Sequence, residues 1–204
     1  MTIPVRKSAD DRKHEIEQVA LNLAFKVGPN QVTTGMIAAE LGLTQPAIYK
    51  HFPCKDDIWV TVAQHLSQRI TENIARTDNP AHTPDSRIRR LVLGHLQLVK
   101  ENPALPEFMV LRNTKNGQIV LQDTIQVAMA AFQSALNANV LAAVNSGVFR
   151  ATIVPKDATT LIFGVIQSLV LRMMVTRNPN ILTTDGERLL DLQIAGFTRT
   201  GDDK

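Results

Sequence analysis

Thr33-Thr-Gly-Met-Ile-Ala-Ala-Glu-Leu-Gly-Leu-Thr-Gln-Pro-Ala-Ile-Tyr-Lys-His-Phe52 is the stretch that decides the fold of this 204-residue chain. Thr33 stands where a hydroxyl can cap a short helix, Ile37, Ala38 and Leu41 take its inward positions, and Gly42 supplies a tight turn. Thr44 can cap a second short helix, whose Ile48 and Phe52 return to the core. Ala38 is small where the two helices must cross closely. The spacing predicts a helix-turn-helix with helices over 34–40 and 45–51. The start of the second helix leaves Gln45, Pro46, Ala47, Tyr49 and Lys50 exposed, and that mixture of amide, apolar, phenolic and basic groups suits a major groove. Gln45 can pair bidentately with adenine, and Ala47 can touch a thymine methyl. Tyr49, Lys50 and the helix-end hydroxyls of Thr33, Thr34 and Thr44 can hold phosphates, while His51 packs beside Phe52 or meets phosphate.

Upstream, Ile16, Val19, Ala20, Leu23, Ala24 and Val27 recur at helical spacing and end at Gly28, which predicts a first helix over 9–27. Downstream, proline and glycine punctuation predicts six more, over 55–76, 85–101, 104–112, 117–145, 156–177 and 185–199. No stretch reads as a ladder of strands. Low aromatic content with abundant Leu, Ile, Val and Ala suits helix-on-helix packing. The expected fold is all-α with nine helices: a helix-turn-helix domain over 1–54 and a helical bundle over 55–204.

The formal charge of +3 favours anionic partners only weakly. Residues 1–60 carry seven Lys/Arg against seven acids, so a DNA face there must be made by geometry and not by bulk charge. No uninterrupted apolar run approaches the roughly 20 residues of a membrane span, and the expected setting is a soluble cytoplasmic protein without a membrane partner. The single cysteine, Cys54, can form neither an internal disulfide nor a thiolate cluster. His14, His65, His95, Glu101 and Glu107 lack the close spacing of a metal motif, so neither metal nor cofactor is expected. Without a nucleophile elbow or a phosphate-cradling loop, an enzyme is not expected either. Arg87, Arg89 and Arg90 read as a solvated helix face.

The pattern Thr-x3-Ile-Ala-x2-Leu-Gly-Leu-Thr-x3-Ile-Tyr-x-His-Phe-x2-Lys, spelled by Thr33 through Lys55, resembles the signature of tetracycline-repressor-like (TetR) bacterial transcriptional regulators. The resemblance extends over residues 10–60. It implies that the Thr33 position contacts phosphate, that the second short helix is the recognition helix, and that the positions of Tyr49 and Lys55 grip the DNA backbone. Two departures stand out: the large aromatic after Leu23 is displaced to Phe25, and Cys54 replaces the usual serine, weakening the cap on the fourth helix.

Beyond residue 80 the expectations rest on the same resemblance, which implies a bundle for effector binding and dimerisation. The last two helices would pair with their mates in a homodimer through Leu161, Ile162, Val165, Ile166, Leu169, Leu189, Leu190 and Phe197. An unknown small-molecule effector would meet Trp59, His65, His95, Met109, Arg112, Gln126 and Met129. The implied function is a repressor released from a palindromic operator by a ligand. The alternative is an architectural or partner-regulated DNA-binding protein without a ligand.

Overall fold

The structure, a computed structural model, describes residues 8–110 and 116–198. Among the described residues the regular structure is helical, and one isolated antiparallel bridge joins Phe149 to Thr198. The helices are α1 (Ala9–Val27), α2 (Thr34–Glu40), α3 (Gln45–Tyr49), α4 (Lys55–Thr77), α5 (Pro84–Glu101), α6 (Leu105–Val110), α7 (Asn116–Asn145), α8 (Pro155–Thr176), α9 (Ile181–Thr184) and α10 (Gly186–Ala195). The all-α class holds, and each expected helix has a counterpart; the four-residue α9 is an addition. The last helix stops at Ala195 because the chain turns there: Phe197 donates to the Ile194 carbonyl and Arg150 donates to the Phe197 carbonyl across the bridge.

Local chemistry explains the ends. A capping box starts α1, with the Asp11 N–H on Ser8 Oγ at 3.0 Å and the Ser8 N–H on Asp11 Oδ2 at 3.2 Å. Gly28 at φ 91° ends it, its N–H returning to the Ala24 carbonyl. Thr33 Oγ1 accepts from the Met36 N–H at 3.2 Å and caps α2 as expected. Gly42 turns the chain at φ 64°, a conformation that strains any residue with a Cβ. Thr44 makes no side-chain cap on α3, contrary to expectation, and Pro46 in the first turn helps start that helix instead. At α4 the cap that Cys54 fails to supply is replaced from the other side, as Asp57 Oδ2 accepts the Cys54 N–H at 3.1 Å.

The chain divides into two compact units. The first holds residues up to Leu66 together with Asn102–Ile125, and the second holds Ser67–Glu101 together with residues from Gln126 onward. The first unit thus runs past residue 54 along α4 and takes in α6 and the start of α7. In it α1 packs on α2 and α2 on α3. Its core is made by Ile16, Ala20, Leu23 and Ala24 of α1, Ile37 and Ala38 of α2, Ile48 of α3, and Ile58, Trp59 and Val62 of α4. Burying each large aliphatic side chain here contributes about 1.5–3 kcal/mol. Trp59 meets Phe108 edge-on with ring centroids 4.8 Å apart. Gly117 lets α7 begin against α4, since a Cβ there would lie 2.7 Å from the Asp56 backbone.

In the second unit α5, α8, α9 and α10 pack together. Arg89 of α5 is paired with Glu187 and Asp191 of α10, so it is a tether between helices and not the solvated group expected. The buried face of α8 is Ala158, Ile162, Ile166, Leu169 and Met173. Two helices, over Gly117–Asn145 and Pro155–Thr176, are long and apolar enough by composition to cross a bilayer, yet only 28% of each apolar window is buried. Their exposed large apolar residues include Val127 and Leu141 on α7 and Leu161, Leu171 and Val175 on α8.

Candidate nucleic-acid interface

The α2–α3 hairpin presents Thr33, Thr44, Gln45, Pro46, Tyr49 and Lys50 to solvent, with Ala47, His51 and Lys55 half-buried. Of the ten residues expected at DNA, only Thr34 is buried. Its hydroxyl turns inward and forms one corner of a triangle: Gln45 Nε2 donates to Thr34 Oγ1 at 2.8 Å and to the Tyr49 hydroxyl at 3.3 Å, and the two hydroxyls are 3.2 Å apart. Hydrogen bonding to Thr34, and next to Gln45, holds the Tyr49 phenol below its ordinary pKa. Thr34 therefore orients its neighbours. The triangle also changes what Gln45 can offer. With both amide protons engaged, only Oε1 is free, so Gln45 presents an acceptor and not the donor–acceptor pair of a bidentate adenine contact.

Lys55 also departs from expectation. Its Nζ donates to the Val32 carbonyl at 2.5 Å, tying the start of α4 to the loop that precedes α2. Thr33 keeps a free donor, because its oxygen accepts from Met36 while its proton remains available. Lys50 stands exposed at the C-terminal end of α3.

The residues expected around an effector are distributed between the two units. In the first, Trp59 is fully buried with its indole N–H unpartnered among the described residues, Met109 is half-buried, and His65 is hydrogen-bonded through Nδ1 to Glu17 at 2.6 Å. In the second, His95 is buried against Phe132 with centroids 4.7 Å apart and an unpartnered Nδ1. Burial lowers its pKa to about 4, so it is neutral at pH 7. Met129 is half-buried, whereas Gln126 is exposed and cannot line an enclosed cavity. Arg112 lies outside the described residues. An open groove of about 570 Å³ runs between α7 and α8, bordered by Gln133, Asn137, Lys156, Thr159 and Phe163, and none of the expected effector residues borders it.

The expected dimer residues separate by burial. Ile162, Ile166, Leu169, Leu190 and Phe197 belong to the chain's own core and are unavailable to a second copy, and Val165 and Leu189 are half-buried. Leu161 is exposed, as is Leu192, which the pattern of the last helix also offers to the seam; Leu171 and Val175 are exposed as well, and the periodicity did not single them out. A seven-residue repeat within α8 could have separated the sets: Leu161, Gly164, Ser168, Leu171 and Val175 follow steps of three and four.

Residues 16–60 match the family described as bacterial regulatory proteins, tetR family. Among curated proteins, the chain is 27% identical over 114 residues to a nucleoid occlusion factor SlmA from Pasteurella multocida, covering 53% of this chain and 55% of that protein. The chain thus spans just over half the length of that relative. Among solved structures it is similar to a TetR transcription regulator from Haloarcula marismortui, with a TM-score of 0.70 at 20% identity over 93% of this chain and all of the other. It is also similar to SmeT, the repressor of the Stenotrophomonas maltophilia multidrug efflux pump SmeDEF, with a TM-score of 0.66 at 21% identity over 93% of this chain and 91% of that one. Likenesses at these identities establish the fold.

Proposed function

We propose that the chain, whose residues 16–60 match the tetR family of bacterial regulatory proteins and whose fold is similar to that of a solved TetR regulator, is a sequence-specific, homodimeric transcriptional repressor. The observation that carries this reading is the locked hairpin: α3 exposes Gln45, Pro46, Tyr49 and Lys50 on a surface whose two polar readers are held by the Thr34 hydroxyl. Pre-orienting those side chains lowers the ordering entropy lost on binding. A single five-residue helix reads few base pairs, so specificity requires two copies on a palindrome. Selection of bound sequences from a random DNA pool tests binding, specificity and palindromy together. Recovery of no enriched motif overturns the proposal.

Two outcomes separate the roles of the surface residues. Gln45→Ala is expected to relax base preference at one position per half-site by about 0.5–1.5 kcal/mol, the worth of a single hydrogen bond and not the larger amount of a bidentate pair. Tyr49→Phe removes one corner of the triangle, so it should also blur that position and not merely weaken backbone contact. Competition binding against single-base operator variants measures both; unchanged discrimination in Gln45→Ala removes Gln45 from the readout. Lys50→Ala, in contrast, should weaken binding to all sequences alike and reduce the magnitude of the log K against log salt slope by about 1 per subunit.

Release by a small molecule rests on His95 and Trp59, two fully buried residues with polar atoms unpartnered among the described residues. Each such atom costs about 1–3 kcal/mol unless a partner reaches it, and an effector's polar groups can be that partner. Trp59 is the only tryptophan of the chain, so effector screening can combine its fluorescence with thermal shift. A second reading, an architectural or partner-regulated DNA-binding protein without a metabolite, is supported by a relative named for nucleoid occlusion and not for a ligand. A metabolite that raises stability and lowers operator affinity distinguishes the first reading from the second.

A further inference from the structure

We propose that His14, Glu17 and His65 form a site for a zinc-like divalent transition-metal ion within the first unit, joining α1 to α4. The site stands independently of any DNA contact. His14 and Glu17 are three residues apart on α1, which places them on one helix face, and His65 comes from α4. One ligand atom from each, two imidazole nitrogens and a carboxylate oxygen, lies within 4.8 Å of the others. His65 Nδ1 is already 2.6 Å from Glu17 Oε2, and the two imidazole rings are 6.5 Å apart between centroids.

Glu17 supplies the second, independent observation. Its side chain is only 3% exposed, among the apolar residues Ile16, Ala20 and Leu21 of the same helix, and its Oε1 is buried without a hydrogen-bond partner among the described residues. A buried carboxylate is costly unless paired and fully hydrogen-bonded. His65 satisfies one oxygen and leaves the other unmet. A dication next to the carboxylate compensates the whole group.

The geometry is within reach. Ligand bonds of about 2.0–2.1 Å in a tetrahedral arrangement put donor atoms about 3.3 Å apart. The 2.6 Å contact must open and the longest separation must close, and both follow from turning the exposed imidazoles about a fixed, buried Glu17. Two imidazoles and one carboxylate with no thiolate select Zn²⁺, Co²⁺ or Ni²⁺ over the oxygen-seeking Mg²⁺ and Ca²⁺, and over soft Cu(I). Three protein ligands leave a fourth position for water. The signature was invisible to short-range spacing, because the third ligand comes from a helix 48 residues away.

The test uses the full chain after chelator treatment, titrated with ZnCl₂ by calorimetry and with CoCl₂ by visible absorption. The expected result is one Zn²⁺ per chain, d–d bands of four-coordinate cobalt that zinc abolishes, and a thermal midpoint raised by zinc but not by MgCl₂. His14→Ala alters an exposed side chain and His65→Gln keeps a hydrogen-bonding partner for Glu17, so both variants should fold. Each should lose more than the roughly 10–100-fold in zinc affinity that follows loss of an outer-shell partner. His51→Ala and His82→Ala, which remove other histidines, should bind as the parent does. Zinc affinity unchanged in both His14→Ala and His65→Gln, or no zinc uptake by the parent chain, overturns the site and leaves Glu17–His65 as a plain hydrogen bond.

Discussion

Gly164→Arg is expected to leave the chain folded, to convert a dimer into a monomer, and to remove most of the roughly 10³–10⁷-fold preference that a specific site holds over bulk DNA. At about 100° per residue, Leu161, Gly164, Ser168, Leu171 and Val175 fall within roughly 80° of the α8 circumference. Ala158, Ile162, Ile166, Leu169 and Met173, the buried residues, occupy a different arc. Leu161, Leu171 and Val175 are 51%, 62% and 77% exposed, and Leu192 on the neighbouring α10 is 70% exposed. Such a stripe on one chain is what an isologous seam covers with its own mate. Its middle is made of small residues, which let two helices approach closely. A Cβ at Gly164 meets nothing within 4 Å, so a side chain can start there without clashing with the subunit. Replacing a mid-helix glycine even gains up to about 1 kcal/mol in helix propensity. The same side chain forces a guanidinium into the seam. Sedimentation velocity, circular dichroism and gel shift read the three parts separately. A Gly164→Arg protein that stays dimeric and keeps its operator would place the seam elsewhere, and Leu171→Arg checks the other end of the stripe.

What the sequence made legible divides along the range of the interactions. Thr33, Gly28 and Gly42 act within a few residues of themselves, so the ends of α1 and α2 follow from local sequence alone. Thr44 failed as a cap although its spacing allowed one, because a cap depends on a rotamer and not on spacing alone. The two apolar faces of α8 were both visible as periodicity. Which of them packs inward depends on α5, α9 and α10, so periodicity alone offers Ile162, Ile166 and Leu169 to the seam although the core takes them. The interface residues were legible as a set but not in their mutual contacts: spacing makes Thr34 a phosphate ligand and Gln45 a bidentate reader, whereas the hydrogen bond between them gives each a different role. Arg89 and Glu17 show the same limit, since their partners Asp191 and His65 lie far along the chain. A formally neutral first 60 residues makes the DNA surface depend on a few placed groups, which is why single substitutions there should have separable effects.

Acidification should destabilise the protein through His95 by about 3 kcal/mol between pH 6.5 and pH 4. The side chain is fully buried against Phe132, and burial lowers its pKa from 6.5 to about 4. In that interval the unfolded chain holds a proton on this imidazole and the folded chain does not. Stability therefore rises with pH across the window, is complete above pH 6.5, and is lost as pH falls toward the folded-state value. His95→Leu removes the titrating group with a side chain suited to the same apolar surroundings, and it also removes the unpartnered Nδ1, whose desolvation costs about 1–3 kcal/mol. The variant should match or exceed the parent at pH 7.5 and lose less stability at pH 4.5. Urea midpoints at the two pH values, with unchanged m-values, measure the difference of differences. Equal acid sensitivity in the two proteins would assign the loss to other groups. The same variant bears on ligand response: an effector that donates a hydrogen bond to the neutral Nδ1 should stabilise the parent at pH 7.5 and leave His95→Leu unshifted, whereas an effector seated elsewhere should stabilise both alike.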